Sequence, residues 1–381
     1  MSTPLYGRIK EQIRVDYLQV PEESRQIPSE RELQEQYQVS RPTISKALTV
    51  LATEGALVRQ QRRGNFATVP QREPVVRASA TSRQIGYVAP LAGEELIQRC
   101  FRGIDRIAHR RGYQVLMGNA GNSVEHEREA VRDLIASGVC GLVITPVPRR
   151  RETVVNDYLT SEVSEVPFVL ADTGLPQHGG LQVLFDNRRL GYAMTEWLIK
   201  EGHSRIALLS YTGEVLHTPL AARFEGYRDA LRDFGIVEDN NILVGRFDTA
   251  LDHDVALNQY LDQWQGLKEP PTAIIAPEDT LAVELVTLLK SRGVRVPEDM
   301  RVVGFDNRST ARYFDPPIPT SAPDFERLGE TACDLLLESI ESPVVHPRTV
   351  VLDVPLLIRR AVSVPAERNG THANHGVLSF R

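Results

Sequence analysis

The sequence predicts an α/β protein in which a small helical head with a β-hairpin precedes a body of two parallel-sheet lobes. Three observations carry this. The apolar runs IGYVA, YQVLM, GLVIT, FVLAD, IALLS, TAIIAP and RVVGFD are each followed by a polar-faced helical stretch or a loop, the alternation of βαβ units. The first 70 residues lack that alternation and read as helices closed by a hairpin. Charge divides the same way: the formal net charge is −6, yet the first 77 residues hold 12 Lys/Arg against 9 Asp/Glu, +3, leaving −9 for the remainder. An electropositive head on an acidic body implies two regions with different partners.

In chain order, Leu5, Ile9 and Ile13 recur at helical spacing and predict an amphipathic helix ending before Pro21. In IPSERELQEQY, Ser29 stands three residues before Glu32, the spacing of a capping box, and Leu33 and Tyr37 mark the buried face. After a turn at Gln38–Val39, Ser40 caps a third helix that tolerates Pro42 in its first turn and turns Ile44, Ala47, Leu48 and Leu51 inward. Gly55 stops it, and ALVRQ and NFATV, bridged by QRRG, form a hairpin. These residues, 1–70, are one domain. PQREPVVRASATSRQ is polar, carries two prolines and lacks periodicity, so 71–83 is a linker. The body spans 84–363, with one lobe from 84–187 plus 324–341 and the other from 190–322 plus 346–362. The tail, 364–381, is expected to be mobile.

A chain of 381 residues exceeds one ordinary core. No apolar run approaches the ~18 residues of a membrane span, and MSTPLYGRIKEQIRV has no signal-peptide core, so a cytoplasmic location is expected. Cys100, Cys140 and Cys333 have neither CxxC spacing nor nearby histidine pairs, which predicts inert core thiols and no metal site. Motifs for nucleotide, dinucleotide, serine-hydrolase and zinc-protease chemistry are absent, so no enzyme and no cofactor are expected.

PSERELQEQYQVSRPTISKALTVLATEGALVRQQRRGNF resembles the winged helix-turn-helix of the GntR-type bacterial regulators, a match covering 4–69. DNRRLGYAMTEWLIKEGHSRIALLS, AARFEGYRDALRDFGI, PTAIIAPEDTLAVELVTLLKSRGVRVPEDMRVVGFDN and FERLGETACDLLLESI resemble the LacI/GalR-type effector-binding domain, which is periplasmic-binding-protein-like. The combination resembles the architecture of the arabinose-repressor type. It implies a homodimeric repressor that binds operator DNA and answers to a sugar or sugar derivative, with a purine or nucleoside as the alternative ligand.

For DNA, Arg41, Thr43, Ser45 and Lys46 lie at the N-terminal end of the recognition helix, where side chains reach base edges, and Ser40 precedes them. Arg31 matches a DNA-contacting arginine of the GntR pattern. The wing tip Arg62-Arg63-Gly64 suits phosphate or minor-groove contact. For the ligand, candidates stand at carboxyl ends of strands, where open α/β sheets bind. Asp172 ends FVLAD, Asp306 ends VVGFD, and Glu278 and Asp279 follow TAIIAP. The resemblance matches Arg223, Asp306 and Asp172 to polar contacts, places Glu278 where Asn is common, and puts Phe247 and Phe325 at an apolar wall, with Leu96 and Ile97 facing the cleft. On local grounds Asp279 caps the following helix, Asp186 is a cap or turn residue, and Phe247 could equally be core.

Overall fold

The computed structural model describes residues 5–17, 26–53, 56–60, 64–67, 82–150, 157–163, 166–175, 178–211, 215–237, 245–247, 253–342 and 346–359. The expected linker core, the wing tip residues Arg62 and Arg63, and the tail lie outside them.

The head contains helices Leu5–Tyr17, Glu30–Tyr37 and Arg41–Thr53 and an antiparallel sheet of Gln26–Ile27, Gly64–Ala67 and Leu57–Gln60. The capping box forms in both directions: the Ser29 amide donates to Glu32 Oε2 at 2.7 Å and the Glu32 amide to Ser29 Oγ at 3.3 Å. Gln38 then adopts a left-handed φ of 52°, turning the chain into the next helix. Ser40 bonds the Thr43 hydroxyl at 2.9 Å, and its carbonyl accepts from the Thr43 and Ile44 amides. Ile13, Ile27, Leu33, Ile44, Ala47, Leu48, Leu51 and Leu57 are buried together. Each large aliphatic of that set contributes roughly 1.5–3 kcal/mol by leaving water, which is what a domain this small has to hold its helices. The strand Gln26–Ile27, pairing with Asn65 and Phe66, is an addition to the expected hairpin.

The body holds two parallel sheets. The larger runs in the order Arg348–Leu352, Leu181–Phe185, Phe168–Ala171, Leu142–Ile144, Gln84–Ala89, Gln114–Asn119. The smaller runs Gly245–Phe247, Ile206–Tyr211, Ala273–Ile275, Arg301–Val303. In each, the first strand has the second on one side and the third on the other, so both wind alike and both have a topological switch point beside their first strand. Core clusters lie against the sheets, and the inner strands are buried, which is why they read as continuous apolar runs. Cys100, Cys140 and Cys333 are free and buried.

The strand Arg348–Leu352, expected in the second lobe, extends the first-lobe sheet instead, pairing in parallel with Leu181–Phe185. VVLDVPLLI reads as one apolar run but is divided at Asp353-Val354-Pro355, after which Leu356–Leu357 pairs with Thr320–Ser321. A second small antiparallel pair, Arg149–Arg150 with Val215–Leu216, connects the two lobes. Among the described residues no helix is long and apolar enough to cross a membrane.

Candidate functional site

Arg223 is placed by a helix contact that only glycine permits. Helices Asn187–Lys200 and Thr218–Asp233 approach so closely that a Cβ on Gly191 would lie 2.0 Å from the Arg223 carbonyl oxygen, and one on Gly226 would lie 1.9 Å from that of Arg188. These are the glycines of the LGYAM and FEGY motifs. The Arg223 guanidinium donates from Nε to Asn187 Oδ1 at 2.8 Å, from Nη1 to the Pro277 carbonyl at 3.0 Å and from Nη2 to Asp306 Oδ1 at 3.0 Å. It also stacks 4.5 Å from the Phe305 ring centroid. Arg223 and Asp306 are thereby brought together across 83 residues of sequence, at 11% and 9% side-chain exposure. A pair fixed this way offers a carboxylate acceptor beside a guanidinium donor, the combination that vicinal hydroxyls require.

Asp306 and Asn307 stand in the left-handed region at φ 90° and 51°, as does Asp172 at φ 65°. Asp and Asn are the non-glycine residues that enter this region most readily, and surrounding bonds fix them in it. At the neighbouring strand end the expected roles are exchanged: Glu278, not Asp279, caps helix Asp279–Ser291, accepting from the Thr280 and Leu281 amides at 3.4 and 3.2 Å. Asp279 is fully buried and turns to the Asp306 loop, accepting from the Arg308 amide at 2.7 Å and the Thr320 hydroxyl at 2.6 Å. Burial pushes the Asp279 carboxyl up to about 7.

The opposite wall comes from the first lobe and is acidic. Glu94 caps helix Glu95–Arg110 through the Leu96 and Ile97 amides at 2.9 and 3.2 Å. Its other oxygen accepts from Arg308 Nη1, while Arg308 Nε pairs with Glu278 at 2.7 Å, so one guanidinium spans the cleft between two carboxylates. Beside it, Glu95 accepts from the Ser309 amide at 3.0 Å and hydroxyl at 2.8 Å. Asp172 follows strand Phe168–Ala171; burial and then the nearby Asp306 carboxylate push it up to about 7, against the pull of Arg223. His217, just before the Arg223 helix, has a buried Nδ1 without a hydrogen-bond partner among the described residues. Burial and the Arg223 charge push it down to about 4, leaving a neutral ring.

Three expected wall residues are core instead. Leu96 and Ile97 are 7% and 8% exposed and belong to the first-lobe core, because the first turn of their helix points inward while Glu94 occupies the cleft edge. Phe325 is 5% exposed and meets Phe185 edge-on at 5.1 Å. Phe247 ends strand Gly245–Phe247; its side chain is outside the described residues. Sequence reasoning missed Arg308, Glu94, Asn187 and His217. The signal for Arg308 was its place two residues beyond Asp306, and for Glu94 its place just before a helix at a strand's carboxyl end.

In the head, Ile44, Ala47 and Leu48 face the core, so Arg41 and Lys46 face outward, with Thr43 and Ser45 half-buried between. Arg31 and Arg41 side chains are 86% and 76% exposed, paired only loosely at 3.4 Å with Glu35 and Glu30. Such exposed pairs are weak and leave the guanidinium groups available to a phosphate or base. Lys46 lies 4.2 Å above the Tyr6 ring. Gly64 opens the second wing strand, opposite Gln60.

Residues 5–66 match the bacterial regulatory proteins of the gntR family, and residues 195–362 match a periplasmic binding protein-like domain. An HTH-type transcriptional repressor, PurR, of Vibrio atlanticus is 30% identical over 74% of this chain and 81% of its own. The arabinose metabolism transcriptional repressor of Geobacillus stearothermophilus is 26% identical over 94% and 97% of the two chains. The crystal structure of a LacI family transcriptional regulator from Mycobacterium smegmatis is 27% identical, with a TM-score of 0.61 over 73% of this chain and 98% of that one.

Proposed function

The chain belongs to the bacterial helix-turn-helix transcriptional repressors that carry a periplasmic-binding-protein-like domain, and within that family we propose that it is a homodimeric, sequence-specific repressor whose operator binding is modulated by a small sugar or sugar derivative held between the lobes. It is a regulator and not an enzyme, as are the relatives it matches.

The Arg223–Asp306 pair carries the ligand reading. With Asp172 and Asn187 beside it, it supplies acceptors and donors at the carboxyl ends of strands from both lobes, which suits a ligand rich in hydroxyls. The arabinose repressor, matching head and body together, supports a sugar. The PurR relative favours the alternative, a purine or nucleoside. A ligand that binds one arrangement of the lobes more tightly shifts the population of dimers able to grip DNA.

On the DNA side, the proposed contacts are Arg31, Ser40, Arg41, Thr43, Ser45 and Lys46, with Arg62, Arg63 and Gly64 from the wing. The test begins with genomic fragments selected by the purified protein. Anisotropy titration of the selected duplex then follows, with and without candidate ligands. Arg41→Ala is expected to weaken binding by more than ~1 kcal/mol, and Asp306→Ala to retain DNA binding while losing the response to ligand. An unchanged affinity in the first or an unchanged response in the second overturns the corresponding assignment. Sedimentation that finds only monomers, with and without the duplex, overturns the dimer.

A further inference from the structure

The ligand assignment rests on Asp306, and the structure shows at what cost that residue is held. Two consecutive non-glycine residues, Asp306 and Asn307, occupy the left-handed region, a sparsely populated conformation that persists where surrounding contacts hold it. The backbone amides of the loop are taken up one after another by buried side chains. Asp306 N–H donates to Ser321 Oγ at 3.1 Å, Asn307 N–H to Thr320 Oγ1 at 3.4 Å, and Arg308 N–H to Asp279 Oδ2 at 2.7 Å. Thr320 in turn donates to Asp279 Oδ1 at 2.6 Å, and Asp279, Thr320 and Ser321 are all fully buried. Space for the Asp279 carboxylate exists because residue 304 has no side chain: a Cβ there would lie 2.3 Å from Oδ1.

The fourth member comes from the far end of the described chain. Strand Leu356–Leu357 pairs with Thr320–Ser321, and two residues later Arg359 reaches back over the loop. Its Nη2 donates to Asn307 Oδ1 at 2.5 Å, and its Nη1 to the carbonyls of Ala311 and Ile318 at 3.1 and 3.3 Å.

We propose that Asp279 and Arg359 are positioning residues for the ligand site: they touch no ligand, and they hold Asp306 in the strained backbone that aims its carboxylate at Arg223. This rests on the reading of Asp306 as a ligand contact, but the brace itself is testable without any ligand. In hydrogen exchange of the full chain followed by mass spectrometry, the peptide covering 305–310 is expected to exchange slowly in the wild type. Arg359→Ala, which alters a half-buried residue outside the core, should speed exchange of that peptide at least tenfold and leave the first-lobe strands unchanged. Asp279→Asn should stay close to wild type, since an amide can accept from Arg308 N–H and donate to Thr320 Oγ1. Asp279→Ala should exchange as fast as Arg359→Ala. Unchanged exchange at 305–310 in Arg359→Ala overturns the proposal, whether or not Asp279→Ala folds. Acceleration spread evenly over the second lobe also overturns it, by showing a general loss of stability. If the brace behaves as expected while Asp306→Ala keeps its ligand response, it is the ligand assignment that has failed and not the brace.

Discussion

The two lobes are built alike and equipped differently. In the first, helices Glu95–Arg110 and Phe325–Glu341 meet through Gly103 and Gly329, where added Cβ atoms would lie 2.0 Å from the Glu326 carbonyl oxygen and 2.1 Å from that of Cys100. In the second, Gly191 and Gly226 perform the same close approach. Strand order around each switch point is also shared. Yet the first lobe presents Glu94, Glu95 and Asp172 to the cleft, while the second presents Arg223 and Arg308 beside Asp306 and Glu278. Packing therefore repeats where helices meet, and chemistry diverges where strands end. The arginines of the second wall face the carboxylates of the first, and Arg308 pairs with Glu94 across the cleft.

The shared packing breaks most easily at the glycines. Gly226→Ala and Gly103→Ala each force a methyl into a backbone carbonyl, and each is expected to cost about 3 kcal/mol or more in urea unfolding. A small loss in one lobe alone would show that the two helix pairs are not equivalent.

The unlike walls are probed by Arg308→Ala, which leaves Glu94 and Glu278 without their common partner. A loss of about 2 kcal/mol is expected, and a double-mutant cycle with Glu94→Gln should show a coupling of about 1 kcal/mol between the lobes. Additive effects would mean that the charges on the two walls do not speak to each other.

A pH series sharpens the comparison further. Asp172 in the first lobe and Asp279 in the second are both pushed up to about 7, so between the ordinary carboxylate range and pH 7 the native state binds more protons than the unfolded chain. Stability should therefore rise as pH is lowered from 8, by at most about 1.4 kcal/mol per pH unit for each group. His217, pushed down to about 4, works the other way: below about 6.5 the unfolded chain gains its proton first, and the slope should flatten. Melting temperatures of Asp172→Asn and Asp279→Asn across this series should each lose part of the rise; a profile parallel to wild type in either would show that its carboxyl is not the titrating group.

The smallest effect is expected at the head surface. Arg31→Gln breaks an exposed pair with Glu35 and should change stability by less than about 0.5 kcal/mol. A larger loss would mean that Arg31 is structural and not reserved for DNA.

Much of the architecture was legible because it is written locally. The capping box needs only Ser29 and Glu32, and the βαβ alternation needs only runs of apolar residues. The Arg223–Asp306 pair was reachable through the motifs around each residue, though neither predicts the other's distance. What escaped depends on tertiary surroundings. Asp is a better local cap than Glu, yet at 278 and 279 the buried Thr320 hydroxyl and Arg308 amide claim the aspartate and leave the cap to glutamate. Leu96, Ile97 and Phe325 were expected at the cleft from the family resemblance, but position along a helix does not say which face turns inward. The strand Arg348–Leu352 has the composition of either sheet, and only its partner Leu181–Phe185 decides its lobe.

The most direct test of a ligand-controlled cleft is a thermal-shift screen of wild type and Asp306→Ala against pentoses, hexoses, uronates, sugar phosphates and purines. A sugar should raise the melting temperature of the wild type by mass action and leave the variant unmoved. A compound that raises both equally would place binding away from Asp306 and contradict it, and a wild-type response to purines alone would contradict the sugar assignment.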